Sequence, residues 1–295
     1  MSKLYLKNKT LNIKLAGIKL ANPVMNASGT FGLNNGHLTD LSKLGAIVSK
    51  TITLEPREGN PPPRIAETAA GMLNSIGLQN PGIDKYISSD LPKYLSIGIP
   101  VIVSVAGKTI EEYVQITKKI SLEPVSAIEL NVSCPNVKSG GLSFGADKDV
   151  LSQVVKQCRE VCGKPLIVKL TPNVTNIAEL AKIAEDAGAD VISLVNTLLG
   201  MKIDINKRSP VFANTYAGLS GPAIKPVALR MVHQVNQAVK IPIIGMGGIT
   251  TSSDAIEFLL AGADAIAIGT ANFINPDTIS EIVSGIKQYL KEYSE

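Results

Sequence analysis

The chain has 295 residues, 45% of them hydrophobic and 18% charged, with a net charge of +4, three cysteines and two histidines. The lysines are scattered along the chain, which argues against a nucleic-acid footprint, and no apolar run reaches membrane-span length. Three cysteines are too few for a disulfide framework, so a cytoplasmic protein is expected. With no Trp and only 4% aromatic residues, the core must be aliphatic, and the length suits one (β/α)8 barrel.

The opening segment, Leu4 to Leu20, alternates apolar and polar residues and reads as an N-terminal β-hairpin capping one end of a barrel. A strand then runs into the small-residue turn Asn26-Ala27-Ser28-Gly29-Thr30, a helix pattern follows through Leu44, and a second strand spans Ala46 to Thr51. Lys50 ends that strand. A lysine there either snorkels to solvent or has a partner, because a strand buried on both faces does not tolerate a bare charge. Next comes a long irregular stretch, Glu55 to Pro81, punctuated by Pro56, Pro61 to Pro63, Gly59, Gly71 and Gly77. Its centre, Met72 to Asn80, is too apolar for disorder, so an ordered loop over the barrel mouth is expected.

From there the alternation is regular. Strands are predicted at 100–105, 127–131, 165–170, 189–195, 241–246 and 263–268. Helices fill the intervals near 109–120, 148–162, 176–187, 223–238 and 252–261, and a last one runs from about 277 to 293. With the first two strands this makes eight βα units, the count of a TIM barrel. Residues 196–220 form another long loop. In a parallel barrel every strand C-terminus opens on the same face, where the chemistry is done.

Several residue sets point at that face. The run Asn131-Val132-Ser133-Cys134-Pro135-Asn136 places a cysteine just past a buried strand, in a loop stiffened by proline. On position alone Cys134 is either a reactive thiol or a small buried hydrophobe. Glycines follow the seventh strand (Gly247, Gly248) and the eighth (Gly269, before Thr270). At those positions backbone N–H groups can approach a phosphate, the alternative being tight turn packing. Lys50, Ser104, Asn131, Lys169, Asn196 and Thr197 stand at other strand ends and suit an anionic, hydrogen-bonding ligand or a flavin ring. Cys158 and Cys162 lie four apart on a predicted helix, with His37 and His233 at no ligand spacing, so they read as helix core. No Ser-His-Asp set, carboxylate pair or metal cluster is apparent, and no metal is expected.

Together the strings NVSCPNVKSGG with SFG, MLNSIGLQNPG, SKT, VKLTPNV, VNT, GLSGPAIKP, GMGGI and IGTANF resemble dihydroorotate dehydrogenase, in order and nearly end to end. The cysteine resembles class 1, where class 2 has serine. The Asn136 to Gly141 continuation and GLSGPAIKP resemble the class 1B catalytic subunit. The resemblance implies that residues 1–295 are a single FMN-binding TIM-barrel domain. It implies that Cys134 takes a proton from C5 of dihydroorotate while the hydride at C6 passes to N5 of FMN. A free thiol titrates near ~8.5 and needs only modest help for this. Lys50, Asn74, Asn131, Asn196 and Thr197 would hold the substrate, with Ser75, Ile76, Gly77 and Leu78 closing over it. Ala27, Ser28, Thr30, Lys50, Thr51, Asn131, Lys169 and Val195 would contact the flavin, and Gly221, Gly247, Gly248, Gly269 and Thr270 its ribityl phosphate. Ser104 departs from the family's usual asparagine, which leaves that flavin contact open.

The electrons left on FMN need an outlet, and the chain has neither a GxGxxG after a strand nor a cysteine set for an iron–sulfur cluster. The class 1B resemblance implies a partner subunit carrying FAD and a [2Fe–2S] cluster that reduces NAD, around a homodimer core. A fumarate-dependent class 1A enzyme, an FMN barrel acting on another dihydropyrimidine, and a silent phosphate-binding scaffold are the alternatives.

Overall fold

A computed structural model describes residues 10–33, 38–133 and 144–293. Cys134 and the rest of the glycine-rich run through Ser143 lie outside the described residues, as do His37 and the start of the predicted hairpin. Eight parallel strands form the barrel: β3 (Val24–Asn26), β4 (Ile47–Val48), β7 (Val101–Val105), β8 (Ala127–Asn131), β9 (Leu166–Lys169), β10 (Val191–Leu194), β15 (Ile243–Met246) and β16 (Ala265–Ile268). Their order is β3-β16-β15-β10-β9-β8-β7-β4, and a parallel bridge from Met25 to Ala46 joins the two ends. The predicted (β/α)8 architecture is therefore the observed one.

The seam between β3 and β4 is held by a side chain. Ile47 and Ser49 point their N–H groups toward β7, bonding Pro100 O and Ile102 O at 2.9 Å each. Val48 therefore faces β3, where Asn26 Oδ1 accepts from its N–H and Asn26 Nδ2 donates to its C=O, both at 2.8 Å. The fully buried carboxamide thus stands in for a strand where the ladder is short.

Inside the barrel, Met25, Val48, Ile102, Ile167, Val191 and Ile244 build an aliphatic plug, as expected for a chain without Trp. Leu15 and Leu20, from the antiparallel pair β1 (Ile13–Leu15) and β2 (Ile18–Leu20), join that plug, so the hairpin caps the barrel as predicted over its described part. Outside the barrel, amphipathic helices pack their apolar stripes on the strands. In α1 (Ile110–Ser121), Thr109 caps the first turn and Tyr113, Ile116 and Ile120 are buried. The series continues with α2 (Lys148–Val161), α3 (Ile177–Asp186), α4 (Lys225–Ala238), α5 (Ser252–Ala261), the short α6 (Ala271–Ile274) and α7 (Thr278–Glu292).

Three expectations need correction. The helix pattern before Leu44 is, among the described residues, only a 3-10 turn at Leu41–Lys43, capped by Asp40. A helical segment over 83–95, with a π turn at Tyr86–Asp90, follows the second strand instead. The stretches 55–81 and 196–220 are not plain loops. They contain β5 (Ile65–Thr68), β6 (Gly71–Asn74), β11 (Leu198–Met201), β12 (Ile203–Asp204), β13 (Ser209–Pro210) and β14 (Tyr216–Ser220). Four of these form one antiparallel sheet, β11-β14-β6-β5, beside the mouth. Its central pairing, Gly218 with Asn74, joins two segments far apart in the chain, which local punctuation by Pro61 to Pro63 cannot reveal.

Candidate active site

A cavity of about 560 Å³ opens at the C-terminal ends of the barrel strands, within the ~300–1,000 Å³ common for small-ligand sites. Every predicted site residue among the described ones lines it: Ala27, Ser28, Thr30, Lys50, Thr51, Asn74 to Leu78, Asn131, Lys169, Val195, Asn196, Thr197, Gly221, Gly247, Gly248, Gly269 and Thr270. Cys134 lies outside the described residues. Its neighbour Ser133 lines the cavity, and the flanks of the undescribed run meet where Gly145 N–H donates to Val132 O at 2.7 Å.

The first two strands supply one wall. Ser28 Oγ donates to Ser49 O at 3.0 Å and shares a hydrogen bond with Thr51 Oγ1 at 2.9 Å. Lys50 has no carboxylate in ion-pair reach among the described residues. Burial, and then the Lys169 ammonium, hold its pKa below the ordinary 10.5. Gly29 makes room for it. A Cβ there would stand 2.9 Å from Lys50 Nζ, on backbone whose φ of +79° already favours glycine. Ser104 is fully buried and is not among the lining residues; its hydroxyl shares a hydrogen bond with Thr51 Oγ1 at 3.0 Å. Its part is to support Thr51.

The floor is amide-rich. Asn131 Nδ2 donates to Thr51 Oγ1 at 3.4 Å, and Asn131 Oδ1 accepts from Asn196 Nδ2 at 3.2 Å. Tyr113 in α1 fixes the Asn131 carbonyl from behind at 2.7 Å. Thr197 N–H donates to Asn196 Oδ1 at 2.9 Å. The antiparallel sheet forms the overhanging side, with Asn74 Nδ2 donating to Gly218 O at 3.3 Å.

The opposite wall carries donors without acceptors. The N–H groups of Gly248, Gly269 and Thr270 meet no hydrogen-bond partner among the described residues. Gly248 has φ +76°, and a Cβ on it would stand 2.7 Å from Lys225 Cβ, so the turn rests directly on the start of α4. Asp254 staples this turn. Its Oδ2 accepts from Thr250 N, Thr250 Oγ1 and Thr251 N at 2.8–2.9 Å, and its Oδ1 meets Lys225 Nζ at 2.6 Å. Burial pushes the Asp254 carboxyl up, but Lys225 and the threonine donors outweigh it and hold the group well below the carboxylate range.

Sequence reasoning missed this staple and also Glu129, a buried carboxylate two residues before Asn131 on the same strand. A charged residue at an inward position of a buried strand was the available signal. Cys158 is helix core, as read: it is fully buried, burial pushes its thiol up to about 12, and Thr117 Oγ1 donates to it at 3.6 Å. Among the described residues no cluster of His, Cys, Asp or Glu could hold a metal, and no helix is long and apolar enough to cross a membrane.

A family model described as dihydroorotate dehydrogenase matches residues 10–290. Over 286 residues the chain is 56% identical to the dihydroorotate dehydrogenase B (NAD(+)) catalytic subunit of Alkaliphilus metalliredigens, covering 96% of this chain and 95% of that one. The like-named subunit of Thermoanaerobacter pseudethanolicus is 55% identical over 282 residues, 95% of this chain and 93% of its own. That of Geotalea uraniireducens is 55% identical over 285 residues, with 96% and 93% covered.

Proposed function

The chain belongs to the dihydroorotate dehydrogenase family, and on that premise we propose that it is the catalytic subunit of a class 1B enzyme, oxidising dihydroorotate to orotate in pyrimidine synthesis. The observation that carries this reading is the convergence of Lys50, Lys169, Asn74, Asn131 and Asn196 on one cavity with three turn amides that have no partner among the described residues. The residues fit FMN: the free N–H groups of Gly248, Gly269 and Thr270 suit its phosphate, and the polar floor suits its ring. FMN, when bound, supplies a two-electron acceptor. Residues 1–295 act as one domain around it.

In this proposal the chain's own groups bind, orient and move a proton. Asn74, Asn131, Asn196 and Thr197 hold the substrate's ring amides, and Lys50 meets its carboxylate. The low-dielectric setting that depresses Lys50 strengthens that contact and makes the anion's arrival relieve the charge strain. The segment Asn74 to Leu78 covers the substrate and excludes water. Cys134, the residue after Ser133, removes the C5 proton as general base. The relatives' names, catalytic subunit and NAD(+), support a separate partner subunit through which electrons reach NAD; FAD and a [2Fe–2S] cluster in that partner complete the route.

Anaerobic absorbance spectroscopy tests the reading. The purified protein should be yellow and should bleach on adding dihydroorotate. In Cys134→Ala the bleaching should slow by roughly 10²–10⁴-fold, the usual worth of a general base, while the flavin stays bound. A colourless protein that takes up no FMN, or a variant that bleaches at the normal rate, would defeat the flavin site or the base assignment respectively.

A further inference from the structure

Among the described residues Glu129 is the one buried acid, and the proposed chemistry leaves its position unexplained. It is 3% exposed, on β8, two residues below Asn131 and so on the same inward face. Its Oε2 accepts from Ser193 Oγ of β10 at 3.1 Å, and its Oε1, which has no hydrogen-bond partner among the described residues, stands 3.9 Å from Lys169 Nζ of β9. Around it the barrel interior is aliphatic. A carboxylate in such a place is costly, and hydrophobic replacements are the better choice for stability alone.

We infer that Glu129 is a positioning residue for the cofactor site: tethered by Ser193, it holds the Lys169 ammonium at the cavity floor and offsets part of its charge. The inference rests on the proposed FMN site. Among the described residues, Lys169 has this one carboxylate within ion-pair reach and Lys50 has none, Lys169 being the charge that acts on Lys50. The carboxylate's charge therefore sets how much net positive field reaches a ligand above. The distance of 3.9 Å is too long for a hydrogen bond, so the link to Lys169 is one of charge, and the geometric anchor is the Ser193 hydroxyl. Removing the charge strengthens the field and favours the reduced, anionic flavin. Removing the hydroxyl keeps the charge but frees it from its anchor.

The test is a spectroelectrochemical titration at pH 6.5 of FMN-loaded wild type, Glu129→Gln, Glu129→Asp and Ser193→Ala. A buried unit charge acting over roughly 10 Å at an effective dielectric near ~20 shifts an anion-forming equilibrium about tenfold. Glu129→Gln should therefore hold about tenfold more reduced flavin at the wild-type midpoint, a rise of about 30 mV for a two-electron couple. Ser193→Ala, which keeps the charge but loses its anchor, should melt earlier and shift the midpoint less than Glu129→Gln. Glu129→Asp, which retains the charge one methylene further back, should shift the midpoint less and in the same direction, and decides the matter if Glu129→Gln does not fold. An unmoved midpoint in the Glu129 variants, or a Ser193→Ala shift as large as that of Glu129→Gln, overturns the inference and leaves the FMN reading standing. A wild-type chain that binds no FMN overturns both.

Discussion

Asn26→Ala should cost far more than the loss of one exposed polar side chain. The Asn26 carboxamide takes both the N–H and the C=O of Val48 at 2.8 Å, and also donates to Phe31 O at 3.0 Å. All of this happens at a fully buried position on the β3–β4 seam. Truncation leaves the two Val48 groups facing a cavity, each worth about 1–3 kcal/mol when left unpaired. The sum, about 4 kcal/mol, is a large share of the ~5–15 kcal/mol that stabilises a typical domain. For a barrel of this size it corresponds to a melting temperature lower by roughly 10 °C. Differential scanning calorimetry of the FMN-free protein at fixed scan rate measures it. The same side chain anchors the turn from Ala27 to Thr30, so FMN affinity, followed by fluorescence quenching, should fall as well. A loss below about 1 kcal/mol, within the range of ordinary surface substitutions, would refute the argument that this side chain replaces a strand.

Two further perturbations probe the charges around the cavity. Lys50→Met should stabilise the ligand-free protein while abolishing orotate binding, because burial and Lys169 disfavour the ammonium. A lysine with a depressed folded pKa destabilises while charged in both states, and the penalty is relieved as pH rises toward 10.5. The gain in melting temperature over wild type should thus be largest near neutral pH and shrink by pH 10; a pH-independent gain would mean only better packing. Asp254→Asn should weaken FMN binding about tenfold or more by releasing the Gly247–Thr250 turn, and lower stability at neutral pH. Because the Asp254 pKa is depressed, that stability difference is present above the ordinary 3.8 and should close as pH falls through and below it; equal FMN affinities by titration would remove the staple from the binding site.

The barrel was readable because its signal is local. Each strand is a short aliphatic run and each helix an amphipathic one, and Thr109, Asp147 and Thr251 cap the helices where the pattern begins. Five of the six polar residues read at strand ends, Lys50, Asn131, Lys169, Asn196 and Thr197, line the cavity. They were readable because polar side chains are out of place in such runs, whereas Asn74 to Leu78 and Val195 came only from the family resemblance. What escaped is what depends on distant pairing. Gly71–Asn74 pairs with Ile65–Thr68 in a short hairpin and, on its other edge, with the distant Tyr216–Ser220, and none of these segments alternates strongly by itself. The residues from Asn34 to Gly36 lie outside the described ones, and the apolar spacing around Leu41 and Leu44 that suggested a helix serves a single turn packed on the barrel.

One strand set therefore does two jobs along a single axis. At the hairpin end, the inward residues are aliphatic and closed off by Leu15 and Leu20. At the other end the same strands present Lys50, Asn131, Lys169 and Asn196. Glu129 and Ser193 stand between the two, too deep to line the cavity and too polar for the plug. A polar pair in that middle layer lowers the stability available to the core, a cost that the proposed hold on Lys169 accounts for. Ser104 belongs to that same middle layer: it pairs with Glu129 across the sheet, its hydroxyl meets Thr51 Oγ1, and it does not line the cavity.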